Sequence, residues 1–172
     1  MTKTELTKSE KAILIFYLKG FLSDLSKALI FFIIFYILGL HKEFFCGIFF
    51  LTIFRMYSGG LHCKTYFGCL IISFVILSSG IALGSKLFFT KLITTTICIL
   101  CGIITIIYTP ILSRTRPALS KEAIYHAKVH VAFIILLFII FQTYFKPNTY
   151  INIGFWILIL HATQLVVARI RR

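Results

Sequence analysis

Arg55, Gly59, Gly60, His62, Cys63 and Cys69 fall within a stretch of fifteen residues, in a chain that is 59% hydrophobic. A polar island in such a chain is costly to keep unless it does chemistry. His62 and Cys69 are the residue types of a thiol nucleophile and its base, because the thiolate is the reactive form and needs a proton acceptor or a positive field to exist in apolar surroundings. Cys69 comes three residues after Tyr66, where an uncharged run begins. It is therefore expected in the first turn of a helix, where free amides and the helix dipole favour an anion.

The spacing makes a further demand. Residues seven apart on an unbroken helix are about 10 Å apart along its axis, so the helix must break between His62 and Cys69 for the two side chains to meet. Gly59 and Gly60 supply positions where unusual backbone angles cost little. Two other readings compete for the same residues. Imidazole and thiolate would suit a metal held by His62, Cys63 and Cys69, but a fourth ligand is not evident nearby, and Cys63 is a rival nucleophile whose side chain should diverge from that of adjacent His62. The reading adopted is catalytic, with no metal and no cofactor. His41, His126, His130 and His161 are read as polar anchors near the membrane interface, and Cys98 and Cys101 as small packing residues.

The elements that must position this island are membrane helices. A mean hydropathy of +0.98, with 18 basic and 5 acidic residues among 172, excludes an ordinary soluble domain. Uncharged stretches at residues 66–85, 92–113, 130–145 and 147–168 are long enough, or nearly so, to span, and residues 22–40 reach if Asp24 and Lys27 lie at the interface. The apolar segment 44–54 is short, and charge decides its fate. If it crosses with the N-terminus inside, Lys3, Lys8, Lys11, Lys19, Lys27, Arg55, Lys64, Arg114, Arg116, Lys121, Lys128, Arg169, Arg171 and Arg172 are all inside, leaving Lys42, Lys86, Lys91 and Lys146 outside. Otherwise the cations divide almost evenly, so the positive-inside rule selects six spans, with this one extended over residues 41–57. The net charge of +13 thus reports topology, and nucleic-acid binding is not expected.

The expected class is an all-α polytopic membrane protein. It has an N-terminal amphipathic helix (1–22), a six-helix membrane bundle (23–168) and a basic cytoplasmic tail (169–172), together forming one domain. Thr7, Lys8, Ser9 and Glu10 have the form of a capping box. The segment behind it is either an interfacial helix or an extension of span one. The polar connection 113–128 either fixes orientation through anionic lipid or docks an acidic ligand.

The pattern R-x-x-x-G-G-x-H-x-x-x-x-x-x-C, with six spans and a basic inner face, resembles the accessory gene regulator B family of bacterial membrane peptidases over essentially the whole chain. The resemblance implies a cysteine endopeptidase with His62 and Cys69 as its catalytic pair on the cytoplasmic side, and functional sensitivity at Arg55 and Gly60. It also implies removal of the acidic C-terminal tail of a small amphipathic propeptide, storage of the remainder as a thioester, and cyclisation to a thiolactone or lactone quorum-sensing signal. The partners implied are that propeptide, membrane lipids and a second copy in a homodimer, in the bacterial cytoplasmic membrane.

Fourteen inner cations would attract an acidic tail. Arg55 is assigned either to recognition of a substrate carboxylate, which its planar fork suits, or to interfacial anchoring. Asp24 is the candidate to orient His62. The competing function is a small-peptide transporter or export channel without peptide-bond chemistry, although the membrane segments lack an ion-coupling carboxylate.

Overall fold

The computed structural model describes residues 8–61, 63, 65–111 and 119–171, with the side chains of 8–13, 16 and 17 outside the description. Helices α1 (Lys8–Ile37), α2 (His41–Ser58), α3 (Tyr66–Lys86), α4 (Lys91–Tyr108), α5 (Lys121–Tyr144) and α6 (Thr149–Ile170) make up the fold. Among the described residues, five of these six helices are long and apolar enough to cross a membrane. α2 has the length of a span, but it carries Lys42, Glu43 and Arg55 near its ends. The chain divides into two compact units, one ending at His41 and the other running Lys42–Arg172.

In the first unit α1 is unbroken from Lys8, so the N-terminal stretch continues directly into the first span; the proposed cap at Thr7 lies outside the described residues. Within α1, Lys27 Nζ donates to Asp24 Oδ1 at 2.9 Å. The helix stops at Gly39, whose φ of +71° is open to glycine at little cost. The Gly39 and Leu40 amides donate back to the Tyr36 and Phe35 carbonyls, satisfying the end of the helix in a Schellman motif.

The second unit is built around α6. Two thirds of its apolar window is buried, 67% against 17% for α5 and 22% for α4, which makes it the central helix. It packs on α3 and α4, and α4 packs on α5. Helices meet closely in lipid where one face is small, and α3 supplies such a face. A β-carbon on Gly84 would stand 2.6 Å from Ile153 Cα, and one on Gly80 would stand 2.6 Å from Ile157 Cγ1. Asn152 Nδ2 donates to the Gly84 and Leu87 carbonyls at 2.7 and 2.8 Å, and Trp156 Nε1 to the Leu87 carbonyl at 3.1 Å, so α6 satisfies the end of α3 where water is scarce. Phe50 and Phe54 of α2 meet Phe138 of α5 edge to face.

Three element boundaries differ from the sequence reading. α4 ends at Tyr108 rather than near residue 113, because Pro110 forces Thr109 out of the helical region, to φ −73° and ψ 142°. α5 begins at Lys121 rather than 130, capped by Ser120, whose Oγ accepts from the Ala123 amide at 3.2 Å. The second half of the basic connection, residues 121–128, is therefore helix, and residues 112–118 lie outside the described residues. α6 likewise extends through Arg169 to Ile170, so the expected tail begins inside a helix.

Candidate active site

The polar island joins α2 to α3, and the helix is indeed broken there. At the last residue of α2, Ser58 Oγ donates to the Phe54 carbonyl and lies 2.7 Å from His161 Nε2 of α6. The chain then reverses at Gly59, with φ +77°. Gly59 pairs in parallel with Ile111, and the Ile111 amide donates to the Ser58 carbonyl at 2.9 Å. A β-carbon on Gly59 would fall 2.0 Å from the Ile111 carbonyl oxygen, so glycine is needed for backbone conformation and for space alike.

Gly60 is needed for a different reason. A β-carbon there would be 2.9 Å from Arg55 Nε and 3.0 Å from Nη2, so the guanidinium lies directly over this residue. Arg55 Nη1 reaches to 3.5 Å from Ser73 Oγ on α3. The arginine thus bridges the end of α2, the diglycine turn and α3. Leu61 then packs on Ile111, Leu165 and Ala168.

On the far side of the island, Thr65 is the N-cap of α3, with φ −113° and ψ 149°, and its Oγ1 accepts from the Gly68 amide at 3.2 Å. Cys69 lies in that first turn, its amide bonded to the Thr65 carbonyl at 3.2 Å, and it is half-buried. Cys63 closes over the same turn: a β-carbon on Gly68 would sit 3.1 Å from Cys63 Cβ and 3.5 Å from its Sγ. All five cysteines are free thiols.

The structure therefore gathers Arg55, Gly59, Gly60, Cys63 and Cys69 around one helix-to-helix turn. His62, between the placed residues Leu61 and Cys63, lies outside the described residues, and with it the distance to Cys69. Asp24 belongs to the other unit, is largely exposed and has Lys27 as its ion-pair partner.

His161 requires a correction. An interfacial anchor would be exposed at one edge, whereas its side chain is fully buried and hydrogen-bonded to Ser58. Sequence reasoning also missed Ser58, Thr65 and Gly68. Thr65 had a local signal, a hydroxyl directly before an apolar run. Ser58 and His161 had none, being 103 residues apart.

A multi-pass helical membrane protein with a thiol in the first turn of an apolar helix, beside a turn built from arginine and two glycines, is the class this arrangement defines. The family model of AgrB, Accessory gene regulator B, matches residues 1–165. An AgrB-like protein of Clostridium beijerinckii is 32% identical over 163 residues, covering 93% of this chain and 70% of that protein. The chain belongs to the accessory gene regulator B family, and membership supports a role in the processing of quorum-sensing peptides. No solved structure matches it.

Proposed function

We propose that the protein is a membrane cysteine endopeptidase that trims a small propeptide and passes the acyl group on to form a cyclic signal. The observation that carries this reading is Cys69 in the capped first turn of α3, with the residues on either side of His62 held by a purpose-built turn.

His62 takes the Cys69 proton, and the sulfur attacks the carbonyl at the junction of signal and tail. The tetrahedral adduct collapses as the tail amine leaves, taking the proton from the His62 imidazolium. The thioester that remains keeps its acyl group reactive, and a thiol or hydroxyl within the bound peptide displaces Cys69 to close the ring. A site at membrane level limits water as the competing nucleophile.

Arg55 lies over Gly60 with its fork near Ser73. In this reading it holds the turn and offers its remaining donors to a substrate carboxylate. Asp24 is the proposed orienting group for His62. Cleavage unchanged in Asp24→Asn removes it and leaves a dyad, whereas a fall in kcat retains it. The clustering of cations favours an inner-face site in the bacterial cytoplasmic membrane, with both termini inside, an acidic-tailed propeptide as substrate and a second copy of the chain as partner.

Co-expression with a propeptide that carries an amphipathic leader, an internal Cys or Ser and an acidic tail tests the reading. Cleavage by the wild type, lost in Cys69→Ser and in His62→Ala, is the expected result. Persistent cleavage in Cys69→Ser contradicts it. Export of an uncut peptide would instead favour the transporter alternative.

A further inference from the structure

The residues directly before His62 are held by more than their own helix, which reaches them through the Gly59 amide donating to the Arg55 carbonyl. They are also held by one face of α6, on which His161, Leu165 and Ala168 follow one another at helical spacing. His161 meets Ser58, and Leu61 packs against the cluster that Leu165 and Ala168 form with Ile111. The donor at the first contact can be assigned by counting protons. Ser58 Oγ has one, and it goes to the Phe54 carbonyl. The hydroxyl therefore accepts from His161, which places a proton on Nε2 of that imidazole.

Nδ1 makes no hydrogen bond of good geometry among the described residues. The side-chain amide of Gln164, 6% exposed and one turn further along α6, is the polar group beside this imidazole and interacts with it, although it makes no hydrogen bond of good geometry among the described residues. Burying polar atoms in this way works against stability. A leucine at 161 would leave Ser58 still bonded to Phe54 but would remove the side-chain hydrogen bond from α6 to the end of α2.

We propose that His161 is a positioning residue of the site, a latch from α6 that fixes where α2 ends and the diglycine turn begins. It thereby sets the place of the chain that carries His62. The inference rests on the peptidase reading above. Its physical basis is that Gly59 gives the backbone freedom, and a base misplaced by about 1 Å can lower a rate about 100-fold. The His161 bond, the Ile111 pairing and the Leu61 contact together remove that freedom.

The test uses the full-length protein in detergent or liposomes with a propeptide substrate, measuring kcat, KM and thermal unfolding for His161→Leu, His161→Gln, Ser58→Ala and the pair Ser58→Ala/His161→Leu. His161→Leu is expected to lower kcat about 10- to 100-fold while KM stays within about twofold and the unfolding midpoint within a few degrees. His161→Gln keeps an N–H donor and is expected to recover most of kcat. The double variant should be no slower than the slower single variant, since both break one bond.

Wild-type kcat in His161→Leu, with His62→Ala inactive, overturns the latch and leaves the peptidase reading standing. So does a loss of kcat that only follows the loss of folded protein, or that His161→Gln does not repair. Cleavage that survives Cys69→Ser overturns both.

Discussion

Two of the settings in which the protein holds its thiols contrast, and under the proposed function the contrast separates a reactive sulfur from an inert one. Cys98 and Cys101 lie one turn apart on α4, both buried, and Cys98 Sγ donates to Gln142 Oε1 of α5 at 3.0 Å. That thiol is a small hydrogen-bond donor joining two helices in a medium that opposes charge. Cys63 and Cys69 lie at the start of α3, half-buried, beside a broken backbone and the Arg55 guanidinium over Gly60. Side-chain identity is the same in both places. What differs is the helix position and whether the surrounding backbone is regular.

The comparison breaks most sharply at Cys69. Cys69→Ala is expected to lower cleavage by at least about 10³-fold, whereas Cys98→Ala leaves kcat unchanged in the same propeptide assay. Gly59→Ala comes next, since the new methyl would meet the Ile111 carbonyl and the left-handed backbone is disfavoured. Its activity should fall about 100-fold, with Cys69 still labelled by iodoacetamide in peptide-mapping mass spectrometry. Arg55→Lys keeps the charge and loses the planar fork. An approximately tenfold lower kcat/KM, roughly 1.4 kcal/mol, would support a role for the fork, and full activity would make Arg55 an anchor.

The smallest effect belongs to the inert pair. Cys98→Ala leaves Gln142 short of a partner and should cost about 1–2 kcal/mol of stability, read as a lower unfolding midpoint at unchanged kcat.

How far the fold can be read from the sequence follows from what ends each helix. α2 comes within a residue of its expected limits because composition and the diglycine mark the same boundary. α4 is overestimated because apolar residues continue through Leu112 in the sequence, whereas it is proline geometry at Pro110 that stops the helix. The start of α5 is hidden in charged sequence, since a helix that continues past the apolar layer needs a cap at Ser120 rather than hydropathy. At the site, the first-turn position of Cys69 and the break beside the glycines are local features and legible. The latch at His161 is not, because a histidine alone in an apolar run has the same sequence appearance at an interface as in a core, and its partner Ser58 is 103 residues away.

The most direct test of the central claim is to incubate the purified protein with its propeptide, quench in acid and map the acylated residue by mass spectrometry. The account predicts the propeptide lacking its tail attached to Cys69 through a hydroxylamine-labile bond, reduced in His62→Ala and absent in Cys69→Ser. An adduct on Cys63, or tail release by Cys69→Ser with no adduct anywhere, would contradict it.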